Sequence, residues 1–67
     1  MKRNWLVDAR KKTNLSQEEI SKLLNIAQPT YASYEIGIRT PKPKIAIEIG
    51  KILNINWQQF YIEEKRE

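Results

Sequence analysis

The side chains with the most chemistry to offer are cationic. Lys2, Arg3, Arg10, Lys11 and Lys12 lie near the amino end, and Arg39, Lys42 and Lys44 crowd a proline-containing segment in mid-chain. Clusters of this kind neutralise a polyanion, and a net charge of +4 with a pI near 9.6 favours such a partner through its long-range field. Acid–base and nucleophilic chemistry have little to work with. The chain has no histidine and no cysteine, which removes the commonest general base, the commonest metal ligand, and any thiolate or disulfide. Ser and Thr therefore lack a partner base, and the carboxylates fall mostly at helix caps or in the tail Glu63-Glu64-Lys65-Arg66-Glu67. The expectation is a binding protein and not an enzyme, with no metal, no cofactor and no evident small-molecule effector.

The elements that must position these cations belong to one domain, 1–67, with a core over about residues 4–62 and a frayed tail at 63–67. A domain this small must pack efficiently or share its core with a partner. Met1-Lys2-Arg3-Asn4-Trp5, with Asp8 and Arg10 close behind, holds no apolar run. Neither a signal peptide nor a membrane span is expected, and the expected location is the cytoplasm, a reducing setting that suits a cysteine-free chain.

Local signals predict five short helices. Asn4 is the expected N-cap of a first helix reaching about Thr13, with Trp5, Leu6 and Ala9 on its inner face and Asn14 as its left-handed stop. Ser16-Gln17-Glu18-Glu19 is a capping box that starts a second helix at Gln17. Ile20, Leu23 and Leu24 give that helix an i, i+3, i+4 apolar face, and Asn25 ends it. After the turn Asn25-Ile26-Ala27, a third helix begins at Gln28 with Pro29 in its first turn, Tyr31 and Tyr34 inward, and Gly37 at its end. Thr40-Pro41-Lys42-Pro43 leads into a fourth helix, Pro43 to Leu53, closed by Asn54. Asn56-Trp57-Gln58-Gln59 then caps a fifth, whose apolar residues are Trp57, Phe60 and Tyr61. No strand-like alternation or repeat competes with this all-α reading.

Helices two and three, short and joined by a turn of about three residues, follow the helix-turn-helix plan. From Gln17, the inner positions Ser21, Ile26, Tyr31 and Tyr34 keep the spacing by which two helices cross, with small Ser21 at the close approach. Leu15-Ser16-Gln17-Glu18-Glu19-Ile20, Asn25-Ile26, Tyr34-Glu35-Ile36-Gly37, Arg39-Thr40-Pro41 and Leu53-Asn54-Ile55-Asn56-Trp57-Gln58-Gln59-Phe60 make the match specific. On these residues the chain resembles the Cro/C1-type (XRE) helix-turn-helix family, over roughly Leu6 to Tyr61. The fold implied is a compact five-helix, lambda-repressor-like DNA-binding domain.

That resemblance places helix three in the major groove of double-stranded DNA and helix two across the backbone. Gln28 then stands at the front of the reading helix, where its amide can pair with adenine N6 and N7; Pro29, Thr30 and Ser33 are the other base-reading candidates. Gln17 matches the residue that clamps a phosphate at the start of helix two, and Arg39, Lys42 and Lys44 would neutralise further phosphates. Arg10 and Glu35 match an ion pair that sets the angle of helix three, with Arg10 also within reach of a phosphate. Four positions depart from the pattern, of which Asn14 and Asn25, in place of the more usual Gly, are tolerable at left-handed positions. Ala27 replaces a capping Ser or Thr, a loss of roughly 1 kcal/mol. Gly50 replaces a mid-helix Ala, a similar loss unless a close backbone approach needs it.

Helix four is apolar over a wide arc. Pro43, Ala46, Ile49, Gly50 and Leu53 match the family's inner positions, which leaves Ile45, Ile52 and Ile47 in excess. With Trp57, Tyr61 and Ile62 close by, the expectation is a homodimer through helices four and five. The functional expectation is a sequence-specific repressor that occupies a palindromic operator. An antitoxin-like adapter that masks a partner protein with its isoleucine face is the alternative, distinguished by a 1:1 complex without self-association. A basic amphipathic membrane binder is disfavoured, since the helices are short and their ends well specified.

Overall fold

A computed structural model describes residues 2–64 as five helices in series: α1 (Asn4–Lys12), α2 (Gln17–Leu24), α3 (Gln28–Ile36), α4 (Pro43–Leu53) and α5 (Gln59–Glu64). Among the described residues there is no strand, and no helix is long and apolar enough to cross a membrane. Helix ends follow local chemistry. The capping box at α2 is complete, with Glu19 N donating to Ser16 Oγ at 3.0 Å and Ser16 N to Glu19 Oε1 at 2.8 Å. Asn25, Gly37 and Asn54 end α2, α3 and α4 at φ of 59°, 94° and 57°, and Asn14 follows α1 at 61°. Asparagine tolerates this region because its short polar side chain can bond locally. Ala27 occupies the N-cap of α3 with extended backbone and offers no side-chain cap.

Two boundaries differ from expectation. The N-cap of α1 is Arg3, and Asn4 is already helical. Arg3 N donates to Glu35 O at 2.7 Å, so a contact far along the chain sets where this helix begins. At α5, Asn56 Oδ1 accepts from Gln58 N at 3.0 Å, forming a turn that delays the helix to Gln59. α5 includes 63 and 64 of the expected frayed tail, and residues 65–67 lie outside the described residues.

The core gathers one stripe from every helix: Leu6 and Ala9 from α1, Ile20 and Leu24 from α2, Tyr31 and Tyr34 from α3, Ala46, Ile49 and Leu53 from α4, and Phe60 from α5. Trp5 meets Phe60 edge to face with ring centroids 5.0 Å apart, which ties α1 to α5. Leu23 was an expected inner residue and is 61% exposed instead. The buried residues of α2 are Ile20, Ser21 and Leu24, and at 100° per residue Leu23 lies to the side of the face they share. Pro43 is likewise exposed at the first turn of α4, and Pro41 in the preceding loop is the buried proline. Gly50 has the close approach that justifies it. A Cβ there would stand 2.9 Å from Ile55 O and 3.1 Å from Trp57 Cβ, so the absent side chain lets the α4–α5 turn fold back on α4.

Candidate nucleic-acid interface

Two sets of polar contacts hold α3 at a fixed angle. The first is centred on Glu35, buried at 3% exposure. Arg10 reaches it with Nε at 2.6 Å from Oε2 and a terminal nitrogen at 3.3 Å from Oε1, while another terminal nitrogen donates to Leu15 O at 2.9 Å. Gln17 Nε2 adds a bond to Glu35 Oε1 at 2.8 Å. One carboxylate thus joins α1, the start of α2 and the end of α3. Burial pushes the Glu35 pKa up, but the hydrogen bonds from Arg10 and Gln17 outweigh it and hold the carboxyl below its ordinary range. Among the described residues the buried Tyr31 hydroxyl has no partner in hydrogen-bond geometry, and its pKa is raised by burial first and by the Glu35 carboxylate second.

The second set is built by Arg3, which belongs by sequence to the amino-terminal basic cluster. Its guanidinium is not a surface charge. Residue 3 is 4% exposed, and its side chain donates to Tyr34 O at 2.6 Å, Arg39 O at 2.8 Å and Thr40 Oγ1 at 2.8 Å while lying 5.2 Å from the Phe60 ring centroid. The carbonyls at the end of α3 lack helical partners, and a buried cation is well suited to them. Arg3 therefore clamps the C-terminus of α3 and the loop after it. No local signal reveals this, since the partners lie 31 to 37 residues away.

What these contacts present is the outward side of α3. Gln28 and Pro29 are exposed at its first turn, and Thr30, Ala32 and Ser33 are half-buried along it. Pro29, Thr30, Ser33, Ile38 and Arg39 line a shallow groove of about 300 Å³. Ser33 Oγ donates to Thr30 O at 2.6 Å, so its oxygen is left to act as an acceptor. Arg39, Lys42 and Lys44 are all exposed on the segment that follows. Three expected base readers and one expected phosphate ligand thus share one groove. Gln28 stands at the helix start outside its lining, and Gln17 is half-buried with its amide turned to Glu35. Three N–H groups of Arg10 go to internal acceptors. Ile38 is the lining residue that sequence reasoning passed over; the signal available was an isolated apolar residue between Gly37 and Arg39, outside any helical period.

The five residues assigned to a dimer surface are divided. Ile45, Ile52, Trp57 and Tyr61 are half-buried against this chain's own core, and the Tyr61 hydroxyl donates to Pro41 O at 2.7 Å. Ile62 is 55% exposed. Trp57 and Gln58 from the turn before α5, with Tyr61 and Ile62 from α5, line an open groove of about 340 Å³. Among the described residues no cluster of three or more His, Cys, Asp or Glu side chains is placed to hold a metal ion.

Comparison with known proteins agrees with this geometry. A family model described as helix-turn-helix matches residues 6–60. The chain is 34% identical over 62 residues to YqaE, an uncharacterised HTH-type transcriptional regulator of Bacillus subtilis, covering 92% of this chain and 53% of that protein. It is 33% identical over 61 residues to YqaF of the same organism, covering 91% and 80%, and YqaF carries the same description. An uncharacterised HTH-type transcriptional regulator of Archaeoglobus fulgidus is 28% identical over 65 residues, covering 97% and 92%. The chain thus spans about half the length of YqaE and most of the other two. No solved structure matches the chain at comparable significance.

Proposed function

This chain belongs to the helix-turn-helix family of Cro/C1-type DNA-binding transcriptional regulators, and from that premise we propose that it represses transcription by occupying a palindromic operator as a homodimer. In this reading α3 enters the major groove. Gln28 reads an adenine edge, Pro29, Thr30 and Ser33 make the remaining base contacts, and Gln17, Arg39, Lys42 and Lys44 bind phosphates on either side. Arg10 and Glu35 set the angle of α3, with the rest of the Arg10 guanidinium turned to the nearest phosphate. Occlusion of polymerase is the economical mechanism, since neither the composition nor the site offers chemistry to carry out on the DNA.

The observation that carries the reading is the shared groove on α3, where Pro29, Thr30, Ser33 and the cation of Arg39 lie together beside exposed Gln28. The open groove around Trp57, Tyr61 and Ile62, together with the half-exposed Ile45 and Ile52, supports the second copy. A twofold dimer implies two half-sites about one helical turn apart. The test is selection of bound duplexes from a random pool, with the wild type and with Gln28→Ala, at two salt concentrations. The expected result is an inverted repeat that Gln28→Ala relaxes at one base pair per half-site. Salt-sensitive binding without any motif would overturn the proposal.

A further inference from the structure

We infer that Ile38 is a base-reading residue that packs its side chain on the C5-methyl group of a thymine at the edge of each half-site, an inference that rests on the operator-binding reading above. Ile38 is 74% exposed, more than Leu23, Ile62 or Ile36, so the fold itself makes little use of its side chain. Yet its backbone is firmly placed. Gly37 turns the chain at φ 94°, and the N–H groups of Gly37, Ile38 and Arg39 converge on Ser33 O at 3.0, 3.1 and 3.3 Å. The residue is therefore fixed relative to α3 although it lies beyond the end of that helix.

Its surroundings choose the occupant. Ile38 lines the same groove as Pro29, Thr30 and Ser33, and the next residue is the exposed Arg39, with Lys42 and Lys44 following. Cations around an apolar side chain favour a polyanion over an apolar protein surface. A branched hydrocarbon has no hydrogen bond to offer a base, and the apolar group that base edges present in the major groove is the thymine methyl. Ile38 and Pro29 form the apolar part of a groove whose hydroxyls and cation supply the polar part.

The test uses the operator selected with the wild-type chain. Each thymidine of that site is replaced in turn by deoxyuridine, which removes only the methyl group, and affinity is measured for the wild type and for Ile38→Ala. One thymine per half-site should weaken wild-type binding about fourfold when replaced, the worth of one buried methyl group (~0.8 kcal/mol), and should hardly affect Ile38→Ala. Equal effects on both proteins at every thymine, or a motif without thymine near the α3 end, would overturn the role of Ile38 and leave the regulator reading standing. If no motif is selected at all, both fall together.

Discussion

Replacing Arg10 by Met removes the cation from beside Glu35 and strands a carboxylate inside the fold. The structure sets the size of the effect. The two side chains are 13% and 3% exposed, so water can do little for the abandoned charge, and the Gln17 amide that remains at 2.8 Å brings no charge of its own. Removing one partner of a buried pair costs roughly 3–5 kcal/mol. A chain of 67 residues has in all about 3–10 kcal/mol of stability, so Arg10→Met loses most of it. The companion variant, Arg10→Met with Glu35→Leu, exchanges the pair for apolar packing and should return to within about 2 kcal/mol of the wild type. The pH dependence separates the states further. In the wild type the folded Glu35 pKa lies below the unfolded value of about 4.3, so the pair's stabilisation is present above that value and is lost as pH falls through the folded pKa. In Arg10→Met the lowering by Arg10 is gone and burial is opposed only by the neutral donors, Gln17 first, so the loss of stability on the acid side should shrink relative to the wild type. Urea unfolding followed by circular dichroism across this range reads both effects. A cost for Arg10→Met below about 1 kcal/mol, as for an exposed pair, or a double variant no more stable than the single one, would refute the reasoning.

Two further variants test the packing at the α4–α5 turn and the cation beside the α3 groove. Gly50→Ala gains about 1 kcal/mol of helix propensity but must fit a Cβ 2.9 Å from Ile55 O, whose residue is itself held by Ile55 N donating to Gly50 O at 3.0 Å. Crowding of this kind costs roughly 1–3 kcal/mol, so the melting temperature should fall, and a rise would show that the α4–α5 turn yields freely. Arg39→Gln should lower the slope of log affinity against log salt by about 0.9 per bound protomer while leaving the selected motif unchanged. An unaltered slope would remove Arg39 from the phosphate ligands.

Much of the architecture is written in contacts between residues no more than four apart. Ser16 and Glu19 start α2, Gly37 and the asparagines at 25 and 54 stop three helices, and Pro29 sits where a helix can open without an amide hydrogen. Such signals act within about one turn of the chain, so the helix-turn-helix of α2 and α3 and the place of Gln28 at the first turn of α3 follow from the residue order. Four features were decided by the tertiary structure. Leu23, inward by its apolar period, faces solvent while Ser21 is buried as expected, because periodicity gives a helix its apolar stripe but not the distance at which a neighbour will pack. Gly50 changed from a weak point to a necessity because Ile55 and Trp57 return to it across the α4–α5 turn. Ile38 joined the groove through the fold of the loop after α3, beyond the reach of any helical period. Arg3 passed from the surface cluster to the interior because acceptors 31 to 37 residues away converge on it, and that convergence exists only after the helices have packed.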